Sequence, residues 1–246
     1  MPVIPLIIQA RMSSTRLPGK VMMPFLGKTF LESCVDRAAR IHGISDVIVA
    51  TTDEADSDPI ANLMKRRDYR VFRGSRDDVL GRYLGAAREV KADAVMRITS
   101  DCPLTDPAIA ETILAQFSEG RTDLMTTNIP PSWPNGMDVE VFTMDALEEA
   151  ARCGTIRSDR EHVSTYIRRR PGRFRLGNIP CPDEGCGHWR MTLDTAADRD
   201  FFLMVAKEFP GDLSTSHWPK LHEFLESRPD LIAINTDEDF SLTCAS

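Results

Sequence analysis

The sequence predicts an α/β protein built on a doubly wound, mostly parallel sheet with a small additional β-containing subregion. Three observations carry this. Short apolar runs alternate with segments whose apolar residues recur at helical spacing through the first half of the chain, and that βαβαβαβ order places helices on both faces of a parallel sheet. The run Val47-Ile48-Val49-Ala50 is continuously apolar, as suits a strand covered on both faces. A basic loop ending in Pro18-Gly19-Lys20 follows the first strand directly, at the kind of strand–helix junction where open α/β sheets bind ligands.

Taken in order, Val3-Ile4-Pro5-Leu6-Ile7-Ile8 is the first strand. Phe30, Leu31, Cys34, Val35 and Ala38 recur with the period of a helix buried on one face. Beyond the strand at 47–50, Ile60, Leu63 and Met64 mark a second helix, with Pro59 in its first turn, where the missing N–H has no partner to lose. Val71-Phe72 is a short strand, Val79, Leu80, Tyr83, Leu84 and Ala87 mark a third helix, and Ala94-Val95-Met96-Arg97-Ile98 is the next strand. Ile109, Ile113, Leu114 and Phe117 belong to a fourth helix. The remainder is more mixed. Residues 129–136 are turn-rich, and Val139 and Val141 alternate like a half-exposed strand. Ser158-Asp159-Arg160-Glu161 fits a capping box that opens a helix with Val163, Tyr166 and Ile167 inward. Arg190-Met191-Thr192-Leu193 suits a strand, and Phe201, Phe202 and Val205 another core helix. With no internal repeat, low-complexity tract or long linker, 1–246 is expected to form a single domain.

Composition narrows the function. A hydrophobic content of 42% and a charged content of 27% are ordinary for a globular enzyme. The formal net charge of −7 argues against general nucleic-acid binding, because a phosphate backbone would be repelled outside any local basic site. No segment approaches the roughly 20 apolar residues of a membrane span. The apolar N-terminal stretch has no basic region before it, so it is expected to be a core strand and not a signal peptide. Six scattered cysteines, Cys34, Cys102, Cys153, Cys181, Cys186 and Cys244, fit a reducing cytoplasm. Cys181, Cys186 and His188 lack the second ligand pair of a zinc site; a loop with two free thiols is expected.

The loop from Gln9 to Lys20 holds three cations (Arg11, Arg16, Lys20) and three hydroxyls (Ser13, Ser14, Thr15). Such a loop suits a polyphosphate, whose oxygens backbone N–H and hydroxyl groups can surround while Arg and Lys offset the charge. It is neither of two familiar phosphate loops. Ser14 and Val21 stand where a Walker loop needs Gly and Ser or Thr, and a single glycine cannot make a dinucleotide fingerprint. Asp101 lies just past the strand at 94–98, and Asp194 just past the segment 190–193. Each position also suits a helix N-cap, the role expected of Asp106 and Thr195. The joint placement of Asp101 and Asp194 favours Mg²⁺, which takes one or two carboxylates plus substrate phosphates and waters.

Together these pieces resemble the sugar-activating cytidylyltransferases, most closely the branch named after spore-coat polysaccharide biosynthesis protein F, and relatives that make CMP-linked ulosonic and sialic acids. The likeness spans almost the whole chain, through Gln9-Ala10-Arg11-x-x-Ser14-Thr15-Arg16-Leu17-Pro18-Gly19-Lys20, Val71-Phe72-Arg73-Gly74-Ser75-x-Asp77-Asp78, Arg97-Ile98-Thr99-x-Asp101-x-Pro103, Gly136-x-Asp138-Val139-Glu140-Val141-Phe142, Arg160-Glu161-His162-Val163 and Arg190-x-Thr192-Leu193-Asp194-Thr195. It departs at Ser100, where Gly is frequent, and at Met191, where Trp is frequent.

The resemblance implies a Rossmann-like nucleotidyltransferase that uses CTP and Mg²⁺, acts in the cytoplasm and forms a homodimer. By this likeness Gln9, Ala10, Arg11, Ser14, Thr15 and Lys20 bind CTP, with Arg73, Gly74 and Ser75 near the nucleoside. Asp101 and Asp194 hold the metal. Asp138, Glu140 and His162 face the acceptor, within an acceptor and dimerisation subregion at about 128–180. Catalysis is assigned to Arg11, Arg16 and Lys20 at the phosphates, with His162 or a metal-bound water as the base where the acceptor is a hydroxyl. The expected reaction is CMP transfer to a sugar acid, sugar phosphate or phosphonate. Other nucleotidyl transfer, such as guanylyl transfer, a nucleotide-sugar glycosyltransferase and a nucleotide-binding regulatory protein are the competing readings. The glycosyltransferase is disfavoured because Asp101-Cys102-Pro103 lacks a second acid. The regulatory protein is disfavoured because both carboxylates and all three loop cations are present.

Overall fold

A computed structural model describes residues 2–236, so Cys244 lies outside the described residues. The first half alternates as expected: β1 (Leu6–Gln9), α1 (Phe30–Ala38), β4 (Val47–Thr52), α2 (Asp58–Arg66), β5 (Arg70–Gly74), α3 (Val79–Glu89), β6 (Ala94–Thr99) and α4 (Pro107–Phe117). A small hairpin of β2 (Pro24–Phe25) and β3 (Lys28–Thr29) interrupts it before α1. The second half supplies β7 (Leu124–Thr126), β8 (Glu140–Thr143), α5 (Met144–Cys153), α6 (Arg157–Glu161), α7 (Thr165–Arg168), β9 (Leu176–Asn178), α8 (Ala196–Glu208), α9 (Trp218–Glu226) and α10 (Pro229–Ile232). The seven-stranded sheet runs β5-β4-β1-β6-β8-β7-β9. β5, β4, β1 and β6 are mutually parallel, β8 is antiparallel to both of its neighbours, and β9 is parallel to β7.

Strand alternation divides the core into two layers. Leu6, Ile8, Val49, Met96 and Ile98 join Phe30, Leu31, Val35, Ile113 and Phe202 on one face. Ile7, Ile48, Ala50 and Val95 join Val79, Leu80, Tyr83 and Leu147 on the other. Local signals set the helix starts. Thr29 caps α1 in a reciprocal box with Glu32, Asp78 caps α3, Asp106 caps α4, and Thr195 caps α8 in a second box with Asp198. Pro59 sits in the first turn of α2 as expected.

Four expectations need correction. First, β8 is not half-exposed: Val139, Glu140 and Val141 are all buried, because β8 is an interior strand between β6 and β7. Second, Ser158 caps nothing. Helix α6 already begins at Arg157, with Ile156 as its N-cap and no side-chain cap bond. Third, the expected single helix there is two short ones, broken where buried Val163 adopts φ 38°, a conformation a β-branched residue enters only under constraint. The Ser164 hydroxyl pins that turn by donating to Glu140 Oε1 at 2.6 Å. Fourth, residues 190–193 are extended but outside the sheet ladder. Arg190 makes one isolated bridge to Asn135, and the Leu193 N–H donates to the Asp101 carbonyl at 2.8 Å. Gly136, at φ 109°, permits this path, since a Cβ there would lie 2.1 Å from the Met191 carbonyl oxygen. Ser100, in contrast, is not among the positive-φ residues, so its backbone asks for no glycine.

Candidate active site

The basic loop is shaped by its own backbone. The Ala10 N–H still donates to Ala50 across the sheet at 3.1 Å, after which the chain leaves β1. The Ser14 and Gly19 N–H groups both donate to the Met12 carbonyl, at 2.9 and 3.0 Å. That double contact closes the loop, and Gly19 supplies the left-handed turn at φ 69°. Buried Leu17 anchors the loop to the core. The Arg11 and Arg16 side chains stay exposed while Lys20 turns inward. Among the described residues the buried Ser13 hydroxyl has no hydrogen-bond partner.

Lys20 is the hub. Its ammonium donates to Asp101 Oδ2 at 2.9 Å, to Asp194 Oδ1 at 2.8 Å and to the Leu193 carbonyl at 2.6 Å. Thus Asp101 and Asp194, 93 positions apart in sequence, meet on one cation. Asp194 Oδ2 also receives Arg190 at 3.0 Å and lies 3.2 Å from Arg16. Arg190 is itself buried against Asp198 at 2.8 Å, and Asp198 Oδ2 accepts the Asp194 and Thr195 N–H groups. Three cations therefore face three carboxylates. Burial opposes the Lys20 charge, but Asp101 and Asp194 outweigh it and raise its pKa. Burial likewise pushes the Asp101 carboxyl up, yet the Lys20 charge and the Thr99 hydroxyl win and hold it down at about 2.

The donor set bears on a metal. Among the described residues no group of three or more His, Cys, Asp or Glu side chains could hold one. Two converging carboxylates instead suit Mg²⁺, which completes its shell with substrate phosphates and waters. The two thiols Cys181 and Cys186 are free, 3.5 Å apart, and burial pushes the Cys186 thiol up to about 12.

The sequence-selected residues of the second half separate into two groups. His162 is exposed at the end of α6, beside a cavity of about 430 Å³ lined by Ile156, Arg157, Ser158, Glu161 and itself. Arg11 comes within 4.0 Å of Glu161, which brings this helix to the basic loop. Partial burial and the cations Arg97, Arg169 and Arg11 lower the His162 pKa against the pull of Glu161. Glu140 belongs to the interior. Its carboxylate receives Arg97 at 2.6 Å and Ser164 at 2.6 Å, with Arg168 3.2 Å away. Glu140, expected to face the acceptor, is 3% exposed, and Arg168 turns inward to it.

Asp138 is engaged in the turn before β8. It accepts the Gly136 N–H at 3.0 Å and an Asn128 amide hydrogen, while burial raises its carboxyl. Arg73 is engaged too, donating to the Thr52 and Glu54 carbonyls at 2.9 Å each and to Asp58 at 2.6 Å. Gly74 ends β5, and Ser75 follows it with its carbonyl accepting from Arg82. Sequence reasoning missed three supporting residues, Arg190, Asp198 and Arg97. Thr195 followed three positions later by Asp198 was a readable box. Arg97, which also donates to Gln9 Oε1 at 3.2 Å, gave no signal beyond being a cation inside an apolar strand.

A parallel sheet with a basic loop after β1 and two carboxylates converging beside it defines a nucleotidyltransferase-type site. The comparisons agree: a cytidylyltransferase family model matches residues 6–235, and the chain belongs to that family. It is 32% identical to the spore coat polysaccharide biosynthesis protein SpsF of Bacillus subtilis, over 91% of this chain and 94% of that one. A solved cytidylyltransferase from Leptospira borgpetersenii superposes with a TM-score of 0.88 at 30% identity, covering 94% of this chain and 97% of the other. A CMP:2-keto-3-deoxy-manno-octonic acid synthetase complexed with CTP shares the fold, with a TM-score of 0.64 at 17% identity over 84% of this chain and 99% of that one.

Proposed function

We propose that this cytidylyltransferase carries CMP from CTP to an oxygen of a sugar-type acceptor and releases pyrophosphate, with Mg²⁺ bound by Asp101 and Asp194. The observation that supports it best is the convergence of Lys20, Asp101 and Asp194 beside an open basic loop. An acceptor oxygen attacks the α-phosphorus of CTP in line, the bond to the β-phosphate oxygen breaks, and pyrophosphate leaves; a phosphate or phosphonate oxygen attacks already ionised, whereas a hydroxyl gives its proton to His162 or to water. Arg11, Arg16 and Lys20 neutralise the charge that grows on the phosphates, and the loop fixes the geometry. The Ser14 and Thr15 hydroxyls and the loop N–H groups hold the phosphate oxygens. Asp101 and Asp194 would hold Mg²⁺, which would supply further charge neutralisation to the phosphates.

The acceptor side is assigned to about 128–180, with His162 at its edge. Glu140 and Asp138 shape this region from within. The relatives named for polysaccharide and octulosonic acid chemistry support a sugar acid as the acceptor; a sugar phosphate or phosphonate acceptor and a cytoplasmic role in precursor synthesis belong to the same proposal. Two copies are proposed to associate through the same subregion, which light scattering would test. Among the described residues no helix is long and apolar enough to cross a membrane.

Pyrophosphate release tests the reaction, with CTP, UTP, GTP and ATP each set against sugar acids, sugar phosphates and phosphonates. CTP should be used first. Preferred turnover of GTP would remove the cytidylyl assignment and leave nucleotidyl transfer standing.

A further inference from the structure

The Lys20 ammonium has three hydrogens, and all three are committed: two to the carboxylates Asp101 and Asp194, one to the Leu193 carbonyl. Its side chain is 11% exposed. The surrounding charge is already balanced, with Lys20, Arg16 and Arg190 set against Asp101, Asp194 and Asp198. A dication brought alone to these carboxylates meets an ammonium in its place and leaves the cluster two charges positive. A triphosphate alone must draw Lys20 away from carboxylates that then repel each other. Both obstacles vanish when nucleotide and metal arrive together, because phosphate oxygens take the ammonium and the metal takes the carboxylates.

We propose that Lys20 is a built-in stand-in cation at the metal position, so that divalent metal and nucleotide triphosphate bind in strong positive linkage and the nucleotide-free protein excludes the metal. The inference rests on the metal reading of Asp101 and Asp194 given above. By reciprocity, whatever factor nucleotide adds to metal affinity, metal adds to nucleotide affinity. Arg16 and Arg190 act in the same sense, since each spends a hydrogen-bond direction or a nearby charge on Asp194 Oδ2.

Mn²⁺ titration of the full chain, read by the electron paramagnetic resonance of free Mn²⁺ without nucleotide, tests this directly. Wild type should take up Mn²⁺ weakly, and Lys20→Met should bind it at least about tenfold more tightly, within the usual span of such couplings. Adding Asp101→Asn to Lys20→Met should erase the gain. No gain in Lys20→Met, with its fold intact by circular dichroism, overturns the proposal and leaves the metal site standing. A gain that survives Asp101→Asn places the metal elsewhere and overturns both. Where Lys20→Met does not fold, the ¹⁵N signal of the wild-type Lys20 ammonium decides. It should stay in place with Mg²⁺ alone and move with Mg²⁺ and CTP together; movement with Mg²⁺ alone refutes the linkage.

Discussion

The two charged regions of this protein are built to opposite ends. At the strand ends, Lys20, Asp101 and Asp194 sit with Arg11 and Arg16 at the surface, and the loop leaves a buried Ser13 hydroxyl without a partner among the described residues. Below α6 and α7, Arg97, Glu140, Ser164 and Arg168 close on one another, with Glu140 almost wholly buried. One cluster can exchange partners with a ligand. The other joins β6, β8 and the α6–α7 turn, and its carboxylate is taken up by Arg97, Ser164 and Arg168. Charge density alone therefore does not mark a binding site; the availability of the charged atoms does. Mutations should separate the two regions by readout, kinetics for the first and stability for the second.

The largest effect is expected from the closed cluster. Glu140→Ala would leave Arg97 buried beside no carboxylate, and breaking a buried pair typically costs about 3–5 kcal/mol. Urea unfolding should show that loss. A variant of wild-type stability with a selectively raised acceptor KM would break the comparison and return Glu140 to the acceptor. In the open cluster, Asp101→Asn and Asp194→Asn keep size while removing the charge that Mg²⁺ requires. Each should lower kcat/KM by about 100-fold or more, in the range for removing a transition-state electrostatic contact, and the double variant should be little worse. Multiplicative losses, or full activity in EDTA, would separate the two residues.

Lys20→Ala ranks next. Charged hydrogen bonds contribute about 1.5–3 kcal/mol, so kcat/KM for CTP should fall roughly tenfold or more while circular dichroism is unchanged. Unaltered kinetics would take the loop out of the active site. The pH response has a defined sign. The folded state holds the Asp101 carboxyl down at about 2, so this residue's contribution to stability is complete above its ordinary pKa near 3.8 and is lost as pH falls towards 2.

Much of the open cluster was legible because loop chemistry is local. The run from Arg11 to Lys20 has its cations, hydroxyls and turn glycine within ten residues, and β1 before it was plain from its apolar run. The alternation of β4, β5 and β6 with α1 to α4 was equally plain, because each element buries one continuous face or run. The closed cluster was not legible. Alternation in 139–141 cannot tell solvent from an interior ion pair, and only the antiparallel placement of β8 between β6 and β7 brings Glu140 to Arg97. The break at Val163 escaped for a similar reason, since a strained φ is imposed by tertiary contacts and leaves no local signature. Asp194 meets Lys20 beside Asp101 by another route than the expected strand end: its segment is held by Gly136 and Asn135, with no sheet ladder beneath it.

The smallest effect belongs to His162, which stands between the two regions. Its pKa is lowered from 6.5 by partial burial and by the cations Arg97, Arg169 and Arg11, so the ring is neutral at pH 7.5 and carries an unprotonated nitrogen. One hydrogen bond from an acceptor hydroxyl to that nitrogen contributes about 1 kcal/mol. His162→Gln should therefore raise the acceptor KM about fivefold, leaving the CTP KM and the melting temperature near wild type. Because the neutral ring is the form favoured in the folded state, the wild-type acceptor KM should be lowest where the ring is neutral and rise as pH drops through the lowered pKa. The His162→Gln profile should lack that rise. A fall in kcat of about 100-fold with loss of the acid limb would instead give His162 the proton of the attacking hydroxyl, the scale expected for general base catalysis. It would also move this residue from the edge of the site to its chemistry.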